Sequence, residues 1–498
     1  MINKYGLKNP IQGVSLITSC GCNLQCEYCK IAQAVNSNAG KLQAGTIQGL
    51  QDGSFLENCQ KVFNKLEQSP AQVTSMDFWG QEPTLTLHLI AEHIKDWFEV
   101  FPNWIYCSFS TNTVAHMDRL ITFFKACDEA ATHEFHINVQ LSYDGDYSTN
   151  NLRGASSSVI HDNLVYLYNE LNKITFNNIT IRFNNHGVLS FDLLKKLQTV
   201  EDIFNYTLHL YQWGDEFVNL NRNSKVEVTP GVDISLEAPA MASTEDGLRL
   251  ANFFTLSERI NPQDYLKYFP KWRMENIPYP PHISLCLSYG APLDGIEATL
   301  HREFNIMSLS DAIERMACDH RLKTDIMSKF NRIMYCGNGV HELKIMYDGT
   351  LINCQNHIFD TQTEFLKDNG DLESSVKKAL AEHKYFINPL TDDDDTIRRY
   401  FHLFDMCKNG CLEFMIKSTA TLMRYCVETR QIDGMYLNKE LLIKTALLVS
   451  VFNCCSYNNQ MTTGSIFLRH TGFIRAMCNG FLPRVIDIFN SRMGREVF

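Results

Sequence analysis

Residues 13–29 read GVSLITSCGCNLQCEYC. Residues 13–19 form a β-rich run of the length of a buried strand, and the polar, glycine-containing residues after them indicate a loop. The loop contains Cys22, Cys26 and Cys29 in the spacing C-x3-C-x2-C, with Cys20 just before them. This stretch therefore predicts a strand whose carboxyl end leads directly into a group of candidate metal ligands.

The number of thiols narrows the kind of metal site. A structural zinc site usually has four protein ligands, but no further Cys or His is well placed nearby, and Cys20 lies at the end of the predicted strand. An iron–sulfur cluster held by three thiolates keeps one iron open to a cofactor or substrate. The spacing favours such a cluster, while an incomplete zinc site and a chance group of thiols stay open as alternatives.

The residues around this loop predict an α/β fold. Over the first 215 residues, short β-rich runs alternate with amphipathic helical patterns. This alternation predicts right-handed βα units and a parallel sheet, either open or curved into a partial barrel. Strands are predicted at 13–19, 75–80, 105–111, 136–145, 179–185 and 207–213, and helices at 88–101, 117–130 and 161–174.

The pattern changes after about residue 215. Residues 228–243 resemble a loop because they contain proline and glycine, and 308–334 follow a helical pattern. A strand, an Asp-Gly turn and a second strand predict a hairpin in the unit that begins near Tyr335. The acidic run at 391–395 predicts a solvated loop or a helix start, and the last eighty or so residues are mainly helical by pattern.

Composition limits the classes of protein. The 498-residue chain has a net charge of −11, which argues against a nucleic-acid binder. It shows neither a signal peptide nor an apolar run of membrane-spanning length, so we expect a cytoplasmic protein without a membrane partner. In that reducing compartment the 17 cysteines are expected to be ligands and buried thiols rather than disulfides. Core thiols are expected at Cys59, Cys107, Cys127, Cys286 and Cys318.

The cysteine motif, with Tyr28 just before its last cysteine, resembles the radical S-adenosylmethionine (SAM) enzymes. The resemblance implies a partial (β/α)6 TIM-like barrel and a 4Fe–4S cluster on Cys22, Cys26 and Cys29. It also implies that SAM binds the open iron and is cleaved reductively to a 5′-deoxyadenosyl radical, with an electron donor such as flavodoxin or ferredoxin.

Three further motifs follow successive predicted strands and strengthen this resemblance. They are GQEP at 80–83, similar to the G-G-E-P of the family except at Gln81, STN at 110–112, and LSYDG at 141–145. Each alone could be an ordinary polar turn. The resemblance implies a SAM-binding set made of Tyr28, Gly80, Glu82, Ser110, Asn112, Ser142 and Arg153.

A second group of cysteines resembles the SPASM extension, which holds auxiliary iron–sulfur clusters in peptide-modifying members of the family. Its opening is matched by Cys336, Gly349 and Cys354, and its end by Cys407 and Cys411. The resemblance implies one auxiliary 4Fe–4S cluster on Cys336, Cys354 and Cys411, completed by Cys407 or a distant cysteine, whereas Arg398 and Phe401 replace another expected pair. Buried structural thiols or a zinc site are the alternatives.

These motifs together predict four segments: a radical SAM partial barrel (1–215), an insert of loops and helices (216–334), a SPASM-like iron–sulfur domain (335–415) and a helical tail (416–498). The resemblance implies a maturase that abstracts a hydrogen from a peptide or protein side chain and forms a cross-link or another modification. Gln355 replaces the aspartate of sulfatase-maturing relatives, so oxidation to formylglycine loses support. Alternatives are a radical SAM enzyme acting on a small molecule or carbohydrate, and a non-catalytic iron–sulfur sensor or scaffold.

Overall fold

The structure is a computed structural model. It describes residues 3–7, 10–29, 32, 35, 38–236, 253, 256, 259–261, 263–269, 284–287, 321, 341–352, 358 and 386–406. The predicted helix at 308–334 (except residue 321), the helical tail at 416–498, Cys318, and the auxiliary ligands Cys336, Cys354, Cys407 and Cys411 lie outside these residues.

The described part of the chain contains one ten-stranded sheet. Its strands are β1 (Gly13–Ser19), β2 (Ser75–Gly80), β3 (Tyr106–Thr111), β4 (Phe135–Ser142), β5 (Ile179–Leu189), β6 (Val226–Leu236), β7 (Ser284–Leu287), β8 (Glu342–Ile345), β9 (Leu351–Ile352) and β10 (Phe386–Ile387). The order is β10-β9-β8-β1-β2-β3-β4-β5-β6-β7. Strands β8 and β1–β7 are parallel, and β9 and β10 are antiparallel to their neighbours.

Helices connect the parallel strands. They are α1 (Ala39–Gln51), α2 (Ser54–Lys65), α3 (Leu87–Glu92), α4 (Ile94–Val100), α5 (Met117–Ala130), α6 (Asp146–Asn151), α7 (Ser157–Leu171), α8 (Phe191–Leu194), α9 (Val200–Leu220), α10 (Gln263–Leu266) and α11 (Asp394–Met406). Within the described ranges, none is long and apolar enough to cross a membrane.

The two faces of the sheet differ because side chains alternate along each strand. One face is apolar and packs on the helices, as where the Phe78 ring meets Phe123 of α5 and Phe183 meets Phe124. The opposite face carries polar side chains such as Asp77 and Ser108. The sheet therefore buries its core on one side and presents hydrogen-bonding groups on the other.

The predicted strand at 207–213 is wrong, because these residues lie inside helix α9. Its local alternation of apolar and polar residues resembles a strand, but the buried positions Ile203, Leu210 and Phe217 are spaced as on one face of a helix. A capping box of Thr199 and Asp202 starts the helix.

The sixth strand is instead β6, inside the segment predicted as a loop at 228–243. Its pairing with β5 shifts register between Phe183↔Val228 and Asn185↔Val232. The shift falls at Pro230 and Gly231, residues that β-strands accommodate at bulges. Proline and glycine therefore mark an irregularity in this strand rather than its absence.

Other predictions are confirmed. Strands β1 and β2 and helix α5 have the predicted bounds, and α11 starts at Asp394 within the acidic run. Strands β8 and β9 form the predicted hairpin, whose turn contains Gly349 at φ +84°. The sheet includes strands from the first three predicted segments. The boundaries of these segments, the barrel and the SPASM-like domain stay predictions.

Candidate cofactor site at the carboxyl ends of the strands

The predicted residues of the SAM site lie at the carboxyl ends of β1, β2, β3 and β4 or on the segments that follow them. Since these four strands are parallel neighbours, their carboxyl ends meet at the same edge of the sheet. Ligand sites in parallel sheets form preferentially outside this edge. The fold therefore brings together loops that are far apart in the sequence.

The three thiols of the first loop are half-buried. The backbone N–H of Leu24 lies 3.4 Å from Cys22 Sγ, and that of Ala32 lies 3.4 Å from Cys29 Sγ. A turn joins Cys26 and Cys29, because Cys29 N donates to Cys26 O at 3.0 Å. Peptide N–H groups directed at sulfur favour the thiolate form that a metal requires.

Burial has the opposite effect on the thiols of Cys22 and Cys26 when no metal is bound. It raises the pKa of Cys22, and it raises that of Cys26 to about 12. The charges of the cysteines also affect one another, which indicates that the three side chains share one region. A bound metal ion would reverse the balance, because coordinated thiols are deprotonated.

Cys20 differs from its neighbours. Its side chain is only 2% exposed, and its Sγ lies 3.9 Å from the Thr46 hydroxyl of helix α1. Its backbone N–H donates to Gln43 Oε1 at 2.5 Å. Cys20 therefore packs beneath α1 and fits the expectation that it is not a ligand. Cys59, Cys107 and Cys127 are buried core thiols, as predicted, and the side chain of Cys286 lies outside the description.

In the described part of the chain, no three His, Cys, Asp or Glu side chains are arranged to hold a single metal ion. A tetrahedral zinc ion requires its sulfur ligands to converge on one centre at about 2.3 Å. In an iron–sulfur cube each thiolate binds its own iron, so the sulfur atoms lie further apart. Three cysteine thiols on one loop are the type of donor that such a cluster takes.

The second loop begins with a close backbone approach at Gly80. Its φ is +145°, and a Cβ there would lie 1.9 Å from the carbonyl oxygen of Ser19. Glycine is therefore required for the ends of β1 and β2 to meet. The approach continues two residues later, where Glu82 N donates to Gly21 O at 3.1 Å.

The carboxylate of Glu82 is buried, with 1% exposure. Its Oε2 accepts from Asn112 N at 2.8 Å, and its Oε1 accepts from Thr84 N at 3.2 Å. Burial raises the pKa of Glu82 despite these bonds. Among the described residues no basic side chain pairs with it, so a bound cation would compensate the charge.

Asn112 joins the first three loops. Its side-chain Nδ2 donates to Asn23 Oδ1 at 2.7 Å and lies 3.6 Å from Cys22 Sγ. Its Oδ1 accepts from Val114 N at 3.0 Å, which fixes the orientation of the amide. The carboxylate on the second loop and the thiol on the first are thus positioned by one residue of the third.

A buried cation also lies beside the thiol loop. Arg153 is 6% exposed, and its guanidinium donates to Asp144 Oδ1 at 3.2 Å, while its carbonyl oxygen lies 3.9 Å from Cys26 Sγ. Asp144 also accepts from the Tyr28 hydroxyl and from Val188 N. The Nε of Arg153 is buried without a hydrogen-bond partner in the described structure, which leaves one donor for a ligand.

Two other predicted SAM contacts take part in the sheet. Ser110 donates to Gln140 Oε1 at 2.7 Å on the polar face, and Ser142 ends β4 opposite His186. Sequence analysis missed Asp144, which organises the fourth loop, although the Asp-Gly pair of LSYDG was a signal for it. It also missed Asn23, for which the sequence carries no signal.

No family model and no curated protein matches this chain. Among solved structures, the crystal structure of Streptococcus suis SuiB is 14% identical, with a TM-score of 0.39 over 83% of this chain and 76% of that chain. The structure of SuiB bound to S-adenosylmethionine is 13% identical, with a TM-score of 0.36 over 83% of this chain and 74% of that chain. These likenesses are too remote to carry an argument about fold or activity.

Proposed function

We propose that this protein is a radical SAM enzyme that modifies a side chain of a peptide or protein. The observation that carries the proposal is the pair of buried opposite charges beside the thiol loop. The Glu82 carboxylate is joined to Cys22 through Asn112, whose Nδ2 lies 3.6 Å from Cys22 Sγ, and the carbonyl oxygen of Arg153 lies 3.9 Å from Cys26 Sγ. The motif spacing in the sequence and the loops at one sheet edge support the same interpretation.

The two charges are suited to an amino-acid zwitterion. The Glu82 carboxylate would receive the α-ammonium group of SAM, and the unpartnered Nε of Arg153 would donate to its α-carboxylate. A ligand held in this way lies against the thiol loop, because both residues flank it. Zinc or a chance group of thiols would give no reason for a carboxylate without a basic partner and an orphaned guanidinium nitrogen.

The remaining residues of the site orient these groups. Cys22, Cys26 and Cys29 would hold a 4Fe–4S cluster, which would supply the electron for reductive cleavage of SAM to a 5′-deoxyadenosyl radical. Asn112 donates to Glu82 through its backbone N–H and contacts Cys22 through its side chain, and Asp144 accepts from the guanidinium of Arg153. The sequential order of β1–β6 places their crossovers on one face, which supports the partial (β/α)6 barrel of the proposal.

The proposal also includes peptide modification, a flavodoxin- or ferredoxin-like electron donor and a cytoplasmic location. It further includes an auxiliary cluster on Cys336, Cys354, Cys407 and Cys411. The described hairpin of β8 and β9 leads up to Cys354 and is the element expected at the start of a SPASM-like domain. A cluster there would accept the electron released when a substrate radical forms a new bond.

The proposal is tested by anaerobic reconstitution of the full chain with iron and sulfide. We expect about four irons per cubane on the thiol loop, a change in the electron paramagnetic resonance spectrum of that cluster when SAM is added, and 5′-deoxyadenosine after reduction. Combined Cys22→Ala, Cys26→Ala and Cys29→Ala substitutions should remove this cluster and the product. Cys20→Ala is the matched control and should retain both, because Cys20 packs beneath α1.

The outcomes separate the alternatives. A cluster that neither responds to SAM nor yields 5′-deoxyadenosine would identify a non-catalytic iron–sulfur protein and overturn the proposal. Zinc bound in place of iron would do the same. SAM cleavage stimulated by small sugars or metabolites, and not by peptides, would retain the chemistry and reject the maturase.

A further inference from the structure

The polar face of the sheet contains a cavity of about 230 Å³ below the candidate SAM loops. Its lining includes Asp77, Ser108 and Gln140 on the strands and Gly80 and Gln81 at the loop end. Its volume is below the roughly 300 to 1,000 Å³ of sites for drug-sized molecules. The cavity therefore suits one side chain rather than a whole cofactor.

Asp77 lies in a row of polar residues that crosses neighbouring strands. From β8 to β4 the row contains Lys344, Ser15, Asp77, Ser108 and Asn138, each opposite the next in the sheet. The Ser108 hydroxyl donates to Asp77 Oδ1. This bond fixes the position of the carboxylate without neutralising its charge.

The other charges near this row are paired with one another. Lys344 Nζ lies 3.0 Å from Glu342 Oε1, and Arg182 lies 2.7 Å from Glu227 Oε2. Among the described residues no lysine or arginine lies within ion-pair distance of Asp77. Asp77 is thus the carboxylate at the cavity whose charge these pairs do not balance.

We propose that this cavity binds the positively charged side chain of a peptide substrate, the ammonium of lysine or the guanidinium of arginine, with Asp77 as its counter-ion. The inference rests on the proposed function for the peptide nature of the ligand. Burial raises the pKa of Asp77, so a bound cation would offset the cost of keeping this group charged. The neighbouring Ser108 hydroxyl would hold the carboxylate in place for it.

The length of the cavity fits such a side chain. Gly80 follows Asp77 by three residues on β2, which is roughly 10 Å at about 3.3 Å per residue of parallel strand. With its charged end at Asp77, the aliphatic part of a lysine or arginine extends toward Gly80 and Gln81. This is the sheet edge where the thiol loop lies, so the carbons nearest the peptide backbone would face the candidate SAM site.

The experiment measures binding of blocked tripeptides, N-acetyl-Gly-X-Gly-amide, to the reconstituted full chain by ligand-observed NMR. X is lysine, arginine, glutamine or methionine, so that charge varies while length is similar. We expect the two cationic peptides to bind about tenfold to a hundredfold more tightly than the neutral two. Asp77→Asn should abolish this preference, and Glu227→Gln, which removes an exposed carboxylate from the same row, should retain it.

Ser108→Lys provides a second test that leaves Asp77 in place. It positions an ammonium group directly opposite Asp77 in the sheet and should also abolish the preference. Equal binding of all four peptides by the unmodified protein, or a preference that survives both substitutions, overturns the inference. SAM cleavage is measured separately. If the protein cleaves SAM but shows no preference for cationic peptides, only the inference about the cavity is rejected. If it prefers cationic peptides but does not cleave SAM, the proposed function is rejected and the cation site is retained.

Discussion

The backbone N–H of Asn112 donates to Glu82 Oε2 at 2.8 Å and so fixes a buried carboxylate to the end of the neighbouring strand. The donor is a main-chain group, so the position of the carboxylate depends on the pairing of β2 with β3 rather than on a flexible side chain. Because peptide N–H groups partly stabilise the charge, the carboxylate is held in position before any ligand binds.

Replacing Glu82 with glutamine tests the role of this charge. Glutamine retains an oxygen that can accept from Asn112 N but has no charge to offer the α-ammonium group. We expect Glu82→Gln to weaken SAM binding about tenfold to a hundredfold while leaving the iron content unchanged. Anaerobic equilibrium dialysis with labelled SAM measures the affinity, with Glu57→Gln on the exposed face of α2 as control. Unchanged affinity would exclude Glu82 as the ammonium partner.

Gly80→Ala tests the close approach of the first two loops. The added Cβ would meet the Ser19 carbonyl oxygen, and the backbone would also be strained at its positive φ. We expect a loss of roughly 3 kcal/mol or more in the free energy of unfolding. Gly53→Ala is the matched control, because Gly53 has φ +77° but open space around its Cβ position. Urea unfolding of both variants measures the difference, and equal losses would show that contact with Ser19 has no effect.

Asp144→Asn tests the charge balance around Arg153. Arg153 would lose the negative charge that neutralises it while it remains buried. Breaking a buried ion pair in this way costs about 3 to 5 kcal/mol, measured as the free energy of unfolding. Tyr28→Phe removes a neutral donor to the same carboxylate and should cost less, about 1.5 to 3 kcal/mol. A similar loss in both variants would mean that the ion pair adds little.

The parts of the fold that could be predicted are those in which local pattern and tertiary packing agree. Helix α5 places apolar residues at helical spacing against the sheet, so its bounds follow from the sequence. The segment at 207–213 was predicted as a strand because its apolar and polar residues alternate. The cap at Thr199 and the burial of one helical face instead determine its structure as a helix. Strand β6 was missed because Pro230 and Gly231 are tolerated at a bulge in this position.

The candidate site likewise contains residues that motifs predict and residues that only the tertiary structure reveals. That the thiol loop and Glu82 lie close together could be predicted from motifs, and their roles as cluster and SAM ligands stay predictions. The roles of Asp77, Asn23 and Asp144 depend on which strands become neighbours, and a single sequence does not contain that information. In the sequence, Asp77 cannot be told from any other polar residue of an alternating strand. Its row becomes visible only in the folded sheet, where residues more than 300 positions apart, such as Lys344 and Ser15, are neighbours.

Asp394, at the start of helix α11, gives a pH-dependent prediction. Its carboxylate lies 2.9 Å from Lys65 Nζ and 3.4 Å from Lys4 Nζ, and it accepts from the Tyr5 hydroxyl. The hydrogen bond from Lys65 is the largest cause that lowers the pKa of Asp394, from its ordinary value of 3.8 to about 2. Because the folded-state pKa is the lower one, the contribution to stability is complete above the unfolded value and is lost as pH falls toward about 2.

We therefore expect Asp394→Asn to lower the unfolding midpoint at neutral pH, and this difference from the unmodified protein to shrink steadily below about pH 4. Urea unfolding between about pH 7 and pH 3 measures it. A double-mutant cycle with Lys65→Met separates the ion pair from other effects, since the two substitutions should be less than additive. A difference that stays constant down to the lowest pH would show that Asp394 stabilises the helix start through its shape and hydrogen bonds, and not through its charge.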